Sequence, residues 1–153
     1  MKYVTLAVAL VALALVGHTR ADEKAKDKDK DKDKAGLKEL EGTYKLVSAE
    51  QDGKFAEKAT IETVTVSIKG DEFVLSASPD DKKVSKIKVT PDTKHSNIDL
   101  SPQDGLEKGK TVPGIYKVEK GEVTIAFSEK GDRPKEFKSD NGVMILRLKK
   151  AEK

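Results

Sequence analysis

The chain has 153 residues, 37% of them charged, with no Cys and no Trp. The missing Cys excludes disulfides, thiolate metal sites, a cysteine nucleophile and any lipid anchor attached through a Cys. Lys and Arg number 30 against 27 Asp and Glu; without Lys2 and Arg20, which fall in the expected leader, 28 stand against 27, a net charge of +1. So small an excess gives no electrostatic footprint for nucleic acid or for an anionic membrane.

Met1-Lys2 precedes a mostly apolar run, Val4–Val16. That run is too short to cross ~30 Å of hydrocarbon but fits the core of a secretory signal. Thr19 and Ala21 stand three and one residues before a cleavage point at Ala21–Asp22. Residues 1–21 are therefore expected to be a signal peptide, and the mature protein periplasmic or secreted, with no membrane insertion after cleavage. Asp22–Lys34 holds six acids and six Lys and no large apolar residue. Such a segment has nothing to bury against the entropy of ordering it, so 22–35 reads as a disordered charged spacer. Asp27, Asp29 and Asp31 recur at the spacing of the first EF-hand ligands, but Lys32 stands where the Gly belongs and Lys38 where the bidentate Glu belongs. The interleaved ammonium groups cancel the field that would attract Ca²⁺, and no metal site is expected.

From residue 36 on, one domain is expected. Gly36–Leu40 can form a helical turn leading into a strand over Thr43–Ser48. Gln51-Asp52-Gly53-Lys54 is turn chemistry, and Phe55–Thr60 is ambiguous, with a short helix one reading. Thr63–Ile68 alternates Val64, Val66 and Ile68 against Thr65 and Ser67, the pattern of a half-buried strand. After Lys69–Glu72 the strand Phe73–Ala77 turns Phe73, Leu75 and Ala77 inward, and Lys83–Thr90 follows with Ile87 and Val89 inward. Ile98–Leu100 is a short strand, and Ser101–Thr111 a long loop. Tyr116/Val118 and Val123/Ile125/Phe127 flank Glu119-Lys120-Gly121, a β-hairpin whose Gly can take a positive φ. Lys135–Lys138 reads as a strand fragment. Asp140-Asn141-Gly142 turns the chain into a last strand, Val143–Leu148.

Seven to eight short strands joined by successive turns predict an all-β domain, a single antiparallel up-and-down barrel whose closure removes exposed edges. From Ala35 on there are 32 large apolar residues, six of them aromatic, against on the order of 24 inward positions in an eight-stranded barrel. The count is enough to fill the interior.

The stretch Leu40–Ser48 resembles the L-x-G-x-W-x-(V/L)-x-S opening of a paralogous family of short exported domains in planctomycete bacteria. Asn97–Leu100 with Gly105, Gly109 and Gly114-Ile115-Tyr116 is similar to its middle signature. Ile125-Ala126-Phe127 with Gly131, Arg133-Pro134 and Glu136-Phe137 is similar to its C-terminal one. The resemblance covers about Leu37–Lys149 and implies a lipocalin-like barrel over 36–153, export, and no established activity. Tyr44 stands where the family has Trp. Tyr44 over Arg147 would be the smaller version of a lipocalin Trp–Arg cation–π stack.

No residue pattern points to catalysis. His95 is the one His outside the leader, in a polar loop; Asp99, between Ile98 and Leu100, is expected on the solvent face; Arg133 is expected to pair with Asp132 or Glu136. There is no G-x-S-x-G elbow. The expectation is a non-enzymatic monomer without cofactor that binds a small apolar or amphipathic ligand, or an envelope component, with Tyr44, Tyr116, Arg133 and Arg147 as candidate ligand-binding residues. The alternative is a filled barrel acting as an interaction or structural module.

Overall fold

Period-two alternation of apolar and polar residues produces nine strands: β1 Gly42–Gln51, β2 Lys54–Phe55, β3 Thr65–Lys69, β4 Glu72–Ser76, β5 Lys82–Thr90, β6 Ser96–Pro102, β7 Val112–Glu119, β8 Glu122–Ser128 and β9 Val143–Lys150. The computed structural model describes residues 32–92, 94–105 and 108–151. The expected signal peptide, its cleavage point and the Asp27/Asp29/Asp31 ladder lie outside the described residues. Among the described residues two helices accompany the strands, α1 over residues 32–40 and α2 over Lys58–Thr63.

The strands pair antiparallel in the order β2-β1-β3-β4-β5-β6-β7-β8-β9, and β1 also pairs with β9. Tyr44 lies opposite Val66 on one side and Lys150 on the other, so β1 closes an eight-stranded barrel; β2 is an extra strand paired to the end of β1. The register between β1 and β9 slips between Leu46 and Ser48. This β-bulge makes Val47 the surplus residue; alternation from Tyr44 and Leu46 turns it outward, where it is 51% exposed.

Inward side chains form one contiguous cluster from Leu40 and Tyr44 at one end to Leu100 and Phe127 towards the other. Gly114 makes room for it. A Cβ there would lie 2.6 Å from the Ala126 carbonyl oxygen and 2.7 Å from Phe127 Cδ1, so the bare backbone is what lets the Phe127 ring fold inward.

α1 closes the end where β1 begins. Gly36 and Leu40, four residues apart, share the buried face, and Leu37 packs beside them on the core. At Gly36 the helix approaches the barrel so closely that a Cβ would sit 3.0 Å from both Tyr116 Oη and Val89 Cγ2. The helix begins earlier than the expected single turn, so residues 32–35 of the expected spacer are helical; the apolar face of Gly36, Leu37 and Leu40 gives the preceding charged turn something to extend.

The connection from β8 to β9, residues 129–142, folds back over the outside of the barrel as a strap. It covers an outward apolar patch of Ile115, Ala126 and Ile145, onto which Phe137 and Val143 pack. Residues 135–138 are not a strand: they hold Phe137 in place by packing, without a ladder partner. The ambiguous 55–60 region resolves into β2 followed by α2, which bridges from β1 to β3.

Candidate functional site

The four residues singled out from the sequence fall in three separate places. Tyr44 and Tyr116 lie inside the closed end, 2% and 1% exposed. Tyr44 Oη donates to the Leu40 carbonyl at 2.8 Å. Burial raises the pKa of both phenols, and the Glu39 carboxylate adds to the rise. The Ser96 hydroxyl counters it at Tyr116 but does not reach hydrogen-bonding geometry, which leaves Tyr116 Oη without a partner among the described residues.

Arg133 sits on the outside, in the strap. Its guanidinium donates through Nη1 to the carbonyls of Gly114 (2.5 Å) and Ile98 (3.3 Å), and through Nη2 to Asp99 Oδ1 (2.6 Å). The pairing with Asp132 or Glu136 gives way to this more distant one because the strap carries Arg133 across β6 and β7, where two carbonyls and a carboxylate converge. Asp99 does face outward as alternation requires, but its oxygen is held by Arg133. Arg147 is exposed on β9, opposite Ser48 and Thr124. Leu146 and Leu148, on either side of it, point inward, so alternation turns Arg147 away from Tyr44 and the stack over Tyr44 does not form. His95 is half-buried, edge-on to the Phe137 ring with centroids 6.0 Å apart, and Lys117 Nζ lies 5.5 Å from that ring's centre.

A site with room for a ligand lies at the opposite, open end. There a cavity of about 860 Å³ is lined by Leu100, Val112, Phe127 and Met144 at its floor and by Lys110, Glu129 and Lys130 at its rim. Alternation builds the floor: Leu100 opposes Val112, and Phe127 opposes Met144, all four directed into the barrel. A second cavity of about 490 Å³ shares Met144 and extends past Ala49 and Ala56 to Phe55, which is 65% exposed.

Hydrogen bonds from the strap brace the mouth. Gln51 Nε2 donates to Glu129 Oε2 at 3.1 Å, the Ser139 hydroxyl donates to Glu50 Oε1, and the amides of Gly53 and Gly142 donate to Ser139 Oγ (3.2 Å) and Asp52 Oδ1 (2.9 Å). These bonds tie the β1–β2 turn to the end of the strap, so the rim is held on two sides. No group of three or more potential metal-ligating His, Asp or Glu side chains occurs among the described residues, and no described helix is long and apolar enough to cross a membrane. Sequence reasoning missed the mouth residues because Leu100, Val112 and Met144 look like any other inward position; Val112 and Met144, at the starts of β7 and β9, are half-buried, and Leu100 is buried beside them.

No family model, no curated protein and no solved structure matches the chain.

Proposed function

We propose that this protein is an exported, non-enzymatic barrel of the lipocalin-like kind that binds a small amphipathic molecule at its open mouth. The observation carrying this reading is the cavity of about 860 Å³, with an apolar floor of Leu100, Val112, Phe127 and Met144 beneath a polar rim. Apolar walls with a few polar groups are the usual composition of a small-molecule site. The ligand sits above the barrel interior, because Phe127, Ile125 and Leu146 already fill the space below.

A fluorescent medium-chain fatty-acid probe tests the reading. Saturable binding to the wild type, lost in Met144→Glu with an unchanged far-UV spectrum, supports it. No saturable signal overturns it.

A second reading, an interaction module of the cell envelope, is favoured by two exposed large apolar residues among those described, Val47 and Phe55. Recovery of one envelope protein by the wild type but not by Val47→Ser/Phe55→Ser, with no probe binding, would favour this alternative.

A further inference from the structure

Resting on the mouth-binding reading, we infer that the ligand's polar end is anionic and that Lys130 is the residue that selects it. Three observations converge on Lys130. It lines the cavity of about 860 Å³ directly after Glu129. Its aliphatic stem is laid over Gly142, where an added Cβ would come within 3.1 Å of Cε, 3.3 Å of Cγ and 3.4 Å of Cδ. Its ammonium has no ion pair or hydrogen bond among the described residues, although the Glu129 carboxylate lines the same cavity.

Gly142 explains the placement. Its φ of +79° excludes most side chains, and its missing Cβ gives the stem of Lys130 a surface to rest on. The tip of a long side chain is thereby held at the cavity edge with less loss of freedom on binding than a free lysine would suffer. Glu129, the one carboxylate among the described residues lining the cavity, has Oε2 turned towards β1 by Gln51. Lys110 adds a second positive charge to the lining, engaged with a partner of its own.

The Lys130 ammonium, without a partner among the described residues, offers the rim a group for an anion, and the apolar floor takes the hydrocarbon part. The chemistry that fits is a single-headed amphiphile with a carboxylate or similar anionic group, its head on Lys130 and its tail over Phe127 and Met144. The filled interior keeps the tail in the mouth, so a medium chain fits better than one long enough to thread a hollow barrel.

Calorimetric titration of the full chain with decanoate and with 1-decanol tests this inference at low salt. The expected result is decanoate binding that exceeds decanol binding about fivefold, a difference that Lys130→Ala abolishes, Lys130→Arg keeps, and raised ionic strength narrows. Equal affinity for acid and alcohol in the wild type, or decanoate binding unaltered by Lys130→Ala, overturns the inference and leaves the mouth site standing. Binding of neither compound overturns both.

Discussion

Tyr44 Oη donates a 2.8 Å hydrogen bond to the carbonyl oxygen of Leu40, the last residue of α1, and so fastens the closing helix to the barrel floor. The oxygen lies at a helix end, where backbone carbonyls lack intrahelical partners, and both residues are buried. Its neighbour Tyr116 brings an equally buried hydroxyl to the same place and finds no hydrogen-bond partner among the described residues.

The two phenols should respond oppositely to loss of their oxygen. Tyr44→Phe strands the Leu40 carbonyl and is expected to lower unfolding free energy by about 0.5–1.5 kcal/mol. Tyr116→Phe removes an unsatisfied polar group at nearly constant shape, so stability stays level or rises by up to about 1 kcal/mol. Urea denaturation of both variants checks the pair.

Alkaline pH should destabilise the fold through the same residues. Burial raises both pKa values above that of an unfolded tyrosine, so the folded state keeps its phenolic protons while the unfolded chain loses them. Stability is then fully present below about pH 10 and falls as pH rises beyond it. Tyrosinate absorbance followed beside circular dichroism should show Tyr44 and Tyr116 ionising together with unfolding.

Gly114→Ala should be costly although Ala is the smallest side chain with a Cβ. The new carbon would lie 2.6 Å from a backbone oxygen of the neighbouring strand and 2.7 Å from the Phe127 ring, and the strand cannot move without breaking its ladder. A loss of about 1–3 kcal/mol is expected, measured by thermal or urea unfolding.

Arg133→Ala should loosen the strap. It leaves Asp99 and the Gly114 carbonyl without this donor, at a cost of about 1–3 kcal/mol, and weakens the cover over Ile115, Ala126 and Ile145. Amide hydrogen exchange should accelerate across residues 131–142 more than in β3 and β4.

Much of this architecture was legible in the residues. Val64/Val66/Ile68, Tyr116/Val118 and Val123/Ile125/Phe127 alternate cleanly, and the β7–β8 hairpin turns at Lys120-Gly121, both with positive φ. What could not be read depends on distance in the chain. Arg133 meets Asp99 across 34 residues, and its local acids made the nearer pairing look natural. Val47 keeps the outward face that alternation from Tyr44 and Leu46 assigns it, but the bulge reverses the residues after it, turning Ser48 outward and Ala49 onto the core. Phe137, between Glu136 and Lys138, carries no period at all; it is held by Ile115, Ala126 and Ile145, which come from three other strands. The mouth site was missed for a related reason: the strand ends at Leu100 and Val143 were legible, but not that β6, β7, β8 and β9 bring such ends together around one cavity.

The central claim is that the closed end is packed shut and that ligand is taken at the open mouth. Nuclear magnetic resonance of the full chain during decanoate titration tests it most directly. The account predicts saturable shifts at Val112, Phe127, Lys130 and Met144, with Tyr44 and Tyr116 unmoved. Shifts centred on Tyr44 and Tyr116, inside the end that α1 closes, would contradict it.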